Sequence, residues 1–203
     1  MKFGGLYLVT PDYAPGRFFS IVEDAIAGGI DMLQYRDKSN TKQVQLEVAK
    51  KLNSMCRSSG IPFIVNDDLD VAVASGANGI HIGADDVPYK EARKALRNGV
   101  VGVSVYADVE KAVEYEKLGA DYVSFGPFFY TDSKKDAKVY DLEVLGQIRG
   151  RLKVPVFVIG GISEKNISQV MKYGINGVAV ISAIFNSSDP KTTVQKLKRL
   201  ISG

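Results

Sequence analysis

Short apolar, β-branched runs recur along this chain at roughly 20- to 30-residue intervals, each followed by a stretch with helical spacing of its apolar residues, and that alternation describes repeated βα units around a parallel sheet. The runs fall at Gly5 to Thr10, Met32 to Arg36, Pro62 to Asn66, Gly79 to Ile82, Val100 to Ser104, Tyr122 to Phe125, Val156 to Ile159 and Val178 to Val180. Eight parallel strands are the number that closes a barrel. Helices are expected over Arg17 to Ala27, Thr41 to Ser58, Asp68 to Ser75, Pro88 to Arg97, Ala107 to Leu118, Asp141 to Arg151, Asn166 to Tyr173 and Lys191 to Ile201. In Thr41 to Ser58, for example, Val44, Leu46, Val48, Leu52 and Met55 fall to one side and Lys42, Glu47, Lys50, Lys51 and Arg57 to the other.

Four helix-to-strand passages share one phrase: Ala27 to Asp31, Ser75 to Gly79, Leu118 to Tyr122 and Tyr173 to Gly177. Each places a glycine where a helix ends, which suits a left-handed terminal residue. Gly60 serves the same purpose after Ser58. No Pro/Ser-rich linker divides the chain, so residues 1–203 are expected to form one catalytic domain, an α/β fold of the (β/α)₈ TIM-barrel type. A doubly wound open sheet is the alternative, and the two differ in closure.

The second strand and its continuation, Leu33 to Lys38, read Leu-Gln-Tyr-Arg-Asp-Lys. Strand alternation puts Gln34, Arg36 and Lys38 on one face. If that face looks into a barrel, the two cations call for an anion, because unpaired buried charge is costly. The plainer reading is a half-exposed strand with a wet polar face.

Chemically capable residues gather after the other strands too, where barrel enzymes build their sites. Asn66 and Asp67 follow strand three, Asp85 and Asp86 strand four, Ser104 ends strand five, and Thr131, Ser133 and Lys134 come after Gly126-Pro127. Gly160-Gly161 follow strand seven, and Ile181-Ser182 strand eight. Asp67 and Asp86 are hard oxygen ligands suited to Mg²⁺ with room for water and phosphate oxygens. Arg36, Lys38 and Lys134 would neutralise a polyphosphate. Each acid has a structural alternative: Asp67 as a cap or first-turn acid of the next helix, Asp86 as a cap for the helix entered at Pro88. The glycine pair with Ser182 and the short apolar segment Ala183 to Phe185 matches a barrel phosphate cradle, although a glycine pair alone is only a tight turn.

Other chemistries are disfavoured. His81, the lone histidine, sits between Ile80 and Ile82 and reads as a core or rim residue, so no Ser/His/Asp triad is expected. Cys56 is the single cysteine, which leaves no intramolecular disulfide or multi-cysteine metal site and suits a small packing residue. A net charge of +3, with Lys and Arg spread along the chain except near Lys191 to Arg199, argues against a nucleic-acid partner. No apolar run approaches a membrane span or secretory signal, so a cytoplasmic protein is expected. Positioning, metal and charge are the remaining means of catalysis.

Taken in order, Leu6-Tyr7-Leu8-Val9-Thr10, Gln34-x-Arg36-x-Lys38, Asn66-Asp67, Gly79-Ile80-His81-Ile82-Gly83 leading to Asp86, Gly102-Val103-Ser104 and Gly119-Ala120-Asp121-Tyr122 resemble the thiamine phosphate synthase family. Phe125-Gly126-Pro127 with Thr131 and Lys134, Val158 to Ile162, and Val178 to Ser182 continue the resemblance over nearly the whole chain. It implies coupling of 4-amino-5-hydroxymethyl-2-methylpyrimidine diphosphate to hydroxyethylthiazole phosphate, giving thiamine phosphate and pyrophosphate through a pyrimidinyl cation. By position it implies one Mg²⁺ on Asp67 and Asp86. Lys38, Asn66, Ser104 and Lys134 would hold the diphosphate, and Lys38, Ser104 and Lys134 would be catalytic. Gln34 and Arg36 would line the pyrimidine diphosphate pocket, while Thr131, Ser133, Gly161, Ile181 and Ser182 would hold the thiazole phosphate.

Departures from the family pattern are Tyr130-Thr131-Asp132-Ser133-Lys134 for Pro-Thr-x-Thr-Lys, Ser104-Val105-Tyr106 for Ser-Thr-His or Ser-Thr-Asn, and Gly83-Ala84-Asp85-Asp86 for Gly-Gln-Glu-Asp. Tyr130 in place of Pro is expected to loosen a loop, Phe128 to Tyr140, that would order over the substrates. A related reading is the thiazole tautomerase, which keeps the thiazole-phosphate cradle and commonly uses a histidine where this chain has Tyr106. A non-catalytic phosphometabolite-binding barrel is a third. Neither needs Asp67 and Asp86 facing three cations. A homo-oligomer is compatible with the sequence.

Overall fold

The computed structural model describes residues 3–83, 86–131, 138–148 and 150–203. Eight parallel strands, β1 (Gly5–Val9), β2 (Met32–Tyr35), β3 (Phe63–Asn66), β4 (Gly79–Ile82), β5 (Val100–Tyr106), β6 (Tyr122–Phe125), β7 (Val156–Ile159) and β8 (Gly177–Val180), pair in sequence order, and β8 closes on β1. The open sheet is therefore excluded. Helices α1 (Phe18–Gly28), α2 (Lys42–Ser58), α3 (Leu69–Ser75), α4 (Tyr89–Ala95), α5 (Val109–Leu118), α6 (Glu143–Ile148) and α7 (Ile167–Met171) connect successive strands, and α8 (Ser182–Phe185) and α9 (Pro190–Ser202) follow β8.

The repeated phrase before every second strand has a specific structural role. Its Asp or Asn accepts a hydrogen bond from a backbone N–H at the start of the preceding strand. Leu6 N–H donates to Asp31, Phe63 N–H to Asn78, Val101 N–H to Asp121 and Val156 N–H to Asn176, each at 2.8 Å. These strand entrances would otherwise leave donors unpaired at the foot of the barrel, a costly state for a buried amide. Lys198 (2.8 Å) and Arg93 (2.5 Å) neutralise Asp31 and Asp121 from the helical layer. Gly76 and Gly119 take the left-handed conformation that ends α3 and α5.

Two cores follow from strand alternation. Outward residues such as Leu8, Leu33, Val65, Val103 and Val158 pack against the helices, where Cys56 is buried and its thiol is pushed up to about 12 by desolvation. The second core lies inside the barrel and contains Tyr7, Met32, Ile64, Tyr122, Phe157 and Ala179. The rings of Tyr7, Tyr122 and Phe157 meet at centroid distances of 5.3–5.9 Å in edge-to-face contacts. Gly102 makes room for this cluster, since a Cβ there would overlap the Tyr122 ring. Among the described residues, no helix is long and apolar enough to cross a membrane.

Element ends differ modestly from expectation. β2 stops at Tyr35, so Arg36 and Lys38 stand above the barrel instead of within it. β5 runs on to Tyr106 through a register shift, and Tyr106 adopts φ 54°. A non-glycine left-handed residue of this kind has no signature in a Tyr.

Candidate active site

Above the inner core the inward positions turn polar. Gln34, Asn66, His81, Ser104 and Ser124 come from β2 to β6 and form the lower wall of a cavity of about 420 Å³ at the carboxyl ends of the strands. Arg36, Lys38, Asp67, Asp86, Thr131, Gly161, Ile181 and Ser182 complete its lining with several backbone and apolar groups. Every expected site residue within the described part of the chain thus lies on one cavity. Ser133 and Lys134 lie outside the described residues.

The cationic segment after β2 is built by short-range hydrogen bonds. Arg36 N–H donates to Thr10 Oγ1 (3.1 Å), whose hydroxyl donates to the Arg36 carbonyl (3.2 Å). Asp12 accepts from Arg36 Nη1 (3.2 Å) and Lys38 N–H (3.0 Å). Asp37 accepts from Tyr35 Oη, Tyr13 N–H, Asn40 Nδ2, Asn40 N–H and Ser39 N–H at 2.8–3.2 Å. Although burial opposes ionisation of Asp37, this donor set prevails and holds its carboxyl below the usual range. Lys38 Nζ pairs with Asp67 Oδ2 at 2.9 Å. Both cations therefore face carboxylates at the partly exposed rim of the barrel. The sequence singled out the cations and missed Asp12 and Asp37, which shape their loop.

The two candidate metal acids are not caps. Asp68 caps α3 by accepting from Val71 N–H at 2.9 Å, while the neighbouring Asp67 takes φ 63° and turns toward the cavity. Pro88 occupies the N-cap of α4 with no side-chain cap, and Asp86 accepts instead from Gly83 N–H at 2.7 Å. Burial, followed by contact with the Asp67 carboxyl, raises the Asp86 carboxyl above its usual range. Two acids held together beside Lys38 form a donor set that suits a hard divalent cation. Two protein carboxylates would leave positions for water and phosphate oxygens, as Mg²⁺ prefers.

Across the cavity, Gly161 has φ 67° and lies so close to Phe129 and Tyr130 that a Cβ would overlap them. Asn166 fixes this turn: its Nδ2 donates to the Gly161 carbonyl (2.9 Å), and its Oδ1 accepts from Ser163 N–H (2.8 Å). Ser182 opens α8 beside it, where the Ile184 and Phe185 N–H groups bond the Ile181 carbonyl.

His81 is a buried rim residue, as its neighbours suggested. Its Nδ1 lies 3.0 Å from Tyr122 Oη, its Nε2 3.3 Å from Ser124 Oγ, and its ring stacks on Tyr122. Desolvation lowers its pKa to about 4, against a smaller opposing pull from Asp86, so it is neutral near pH 7. Tyr106, one of the departures from the family pattern, also lines the cavity, as do Tyr7 and Ser124, which were not singled out as site residues because aromatic and small residues in strands read as core.

A closed βα barrel with paired acids, a cationic loop and a glycine cradle around one cavity defines an enzyme that handles phosphorylated small molecules. The family model described as thiamine monophosphate synthase matches residues 6–184. The chain is 52% identical over 194 residues to the thiamine-phosphate synthase of Thermoplasma acidophilum, covering 96% of this chain and 91% of that one. It is 41% identical to the Picrophilus torridus thiamine-phosphate synthase, covering 99% of this chain and all of that one. The solved thiamine phosphate pyrophosphorylase of Pyrococcus furiosus superposes with a TM-score of 0.88 at 35% identity, covering 98% of this chain and 95% of that one. The chain belongs to the thiamine monophosphate synthase family, a family of transferases.

Proposed function

We propose that this chain, acting as one catalytic domain over residues 1–203, couples 4-amino-5-hydroxymethyl-2-methylpyrimidine diphosphate to hydroxyethylthiazole phosphate and releases pyrophosphate. The supporting observation is the division of one cavity into a cation-and-acid end, at Lys38, Asn66, Asp67 and Asp86, and a glycine-and-serine end, at Gly161 and Ser182. These ends suit a diphosphate and a monophosphate respectively, with the two heterocycles between them.

The methylene C–O bond breaks and its electron pair leaves with the diphosphate. The aminopyrimidine π-system carries the cationic methylene, and the thiazole nitrogen donates its lone pair to form the new C–N bond. Lys38, Asn66, Ser104 and Lys134 hold the departing diphosphate, and Arg36 flanks it. Mg²⁺ held by Asp67 and Asp86 would supply further charge neutralisation to the leaving group. Thr131, Ser133, Gly161, Ile181 and Ser182 hold the thiazole phosphate. No step requires a side-chain base, which agrees with a histidine kept neutral and hydrogen-bonded at both nitrogens.

The test is pyrophosphate release from both substrates with Mg²⁺, with a control omitting each. Release that depends on all three, together with thiamine phosphate, is expected. Thiazole phosphate binding without release would refute the assignment.

A further inference from the structure

The floor of the cavity is a continuous hydrogen-bonded chain that the reaction above does not use. Gln34 Nε2 donates to Tyr7 Oη at 2.7 Å, and Tyr7 Oη lies 2.8 Å from Tyr122 Oη. Tyr122 Oη lies 3.0 Å from His81 Nδ1, and His81 Nε2 3.3 Å from Ser124 Oγ. All five side chains are buried, the least so being His81 at 8% exposed, and Gln34 and Ser124 line the cavity at either end of the chain.

Such a chain has one direction at a time. A phenol carries a single proton, and a neutral imidazole offers one donor and one acceptor. With the Gln34 nitrogen donating, Tyr7 must pass its proton to Tyr122, and Tyr122 to His81 Nδ1. His81 then carries its own proton on Nε2 and donates to Ser124. In that direction the Gln34 carbonyl is left as an acceptor and the Ser124 hydroxyl as a donor, and both residues line the cavity. Reversing any one member requires reversing them all, because each buried group would otherwise lose a partner.

We infer that Tyr7, Tyr122 and His81 are positioning residues that lock the hydrogen-bond polarity of the cavity floor, so that Gln34 and Ser124 select an aminopyrimidine over its oxo counterpart. The amine is a donor and the ring nitrogens are acceptors in the first. The second presents a carbonyl acceptor and a ring N–H donor, the opposite order. This rests on the proposed pyrimidine substrate, and the chain of hydroxyls supplies the selectivity for its edge.

The test is equilibrium binding, by calorimetry, of the 4-amino and 4-oxo pyrimidine diphosphates with Mg²⁺ to the wild type, Tyr122→Phe and Ser124→Ala. The wild type is expected to prefer the amino form by at least about tenfold, the worth of one well-made hydrogen bond. Tyr122→Phe uncouples the two halves of the chain, and the preference should collapse severalfold through loss of amino-form affinity. Ser124→Ala, at the cavity end, gives a second reading should the buried Tyr122 variant fold poorly. A merely structural role would weaken both ligands equally and leave their ratio unchanged, and that result in both variants overturns the inference. A wild-type preference for the oxo form also overturns it. Pyrophosphate release, assayed in parallel, reports separately on the proposed reaction.

Discussion

Gly102→Ala tests whether the inner core and the cavity floor are one unit. The glycine lies mid-strand in β5, outside the left-handed region, so an alanine there meets no backbone penalty and recovers about 0.5–1 kcal/mol of strand propensity. Its methyl would, however, overlap the ring and hydroxyl of fully buried Tyr122. Forcing that ring aside costs about 1–3 kcal/mol of overpacking, plus about 1 kcal/mol for each of its two hydrogen bonds, to Tyr7 and His81. The net loss is about 2–4 kcal/mol, which in a chain of this size lowers Tm by roughly 5–15 °C. Thermal unfolding of the purified variant is the assay, with Gly16→Ala as a contrast, because Gly16 has φ 108° and no atom within 4 Å of its hypothetical Cβ. Gly16→Ala should show backbone strain alone, about 1 kcal/mol. Shrinking Tyr122 to Leu in the Gly102→Ala background should recover part of the packing loss, a coupling between touching residues. A Gly102→Ala protein that melts with the wild type would refute the account of how the barrel interior is filled.

Asp68→Ala removes the α3 cap and should cost about 1 kcal/mol while leaving turnover near normal, whereas Asp67→Ala should abolish pyrophosphate release at little cost in Tm. Paired melting and kinetic measurements separate these adjacent acids. Asp37 has a lowered folded pKa, so its contribution is fully present above the unfolded Asp value of about 3.9 and is lost as pH falls through the folded value. The Tm advantage of wild type over Asp37→Asn should therefore hold from neutral pH to about pH 4 and shrink below it; a constant gap would refute the charge-based account of this loop. Excess EDTA should stop pyrophosphate release and added Mg²⁺ restore it, and an unchanged rate would remove the metal from Asp67 and Asp86.

Much of the fold was legible because barrel strands and helices carry local signals. β4, β6 and β7 fall where their apolar runs place them, and α2 follows its amphipathic spacing. Residues that act through charge or turn geometry, such as Lys38, Asp86 and Gly161, also stand out in a sequence. Tyr7, Tyr122 and Ser124 did not, since aromatic and small side chains in a strand resemble ordinary core. Their polar atoms meet across the barrel, between strands far apart in the chain.

By itself the sequence determined the βα repeat, the polar residues at the strand ends and the glycines that permit left-handed turns, because each depends on near neighbours and strict periodicity. Tertiary structure alone decided closure of β8 on β1, the use of Asp68 as a cap that releases Asp67 to the cavity, and the joining of Asp67 to both Lys38 and Asp86. It also decided that Gln34, Tyr7, Tyr122, His81 and Ser124 form one hydrogen-bonded floor. Those outcomes arise from side chains brought together by barrel closure, where burial makes every polar atom find a partner.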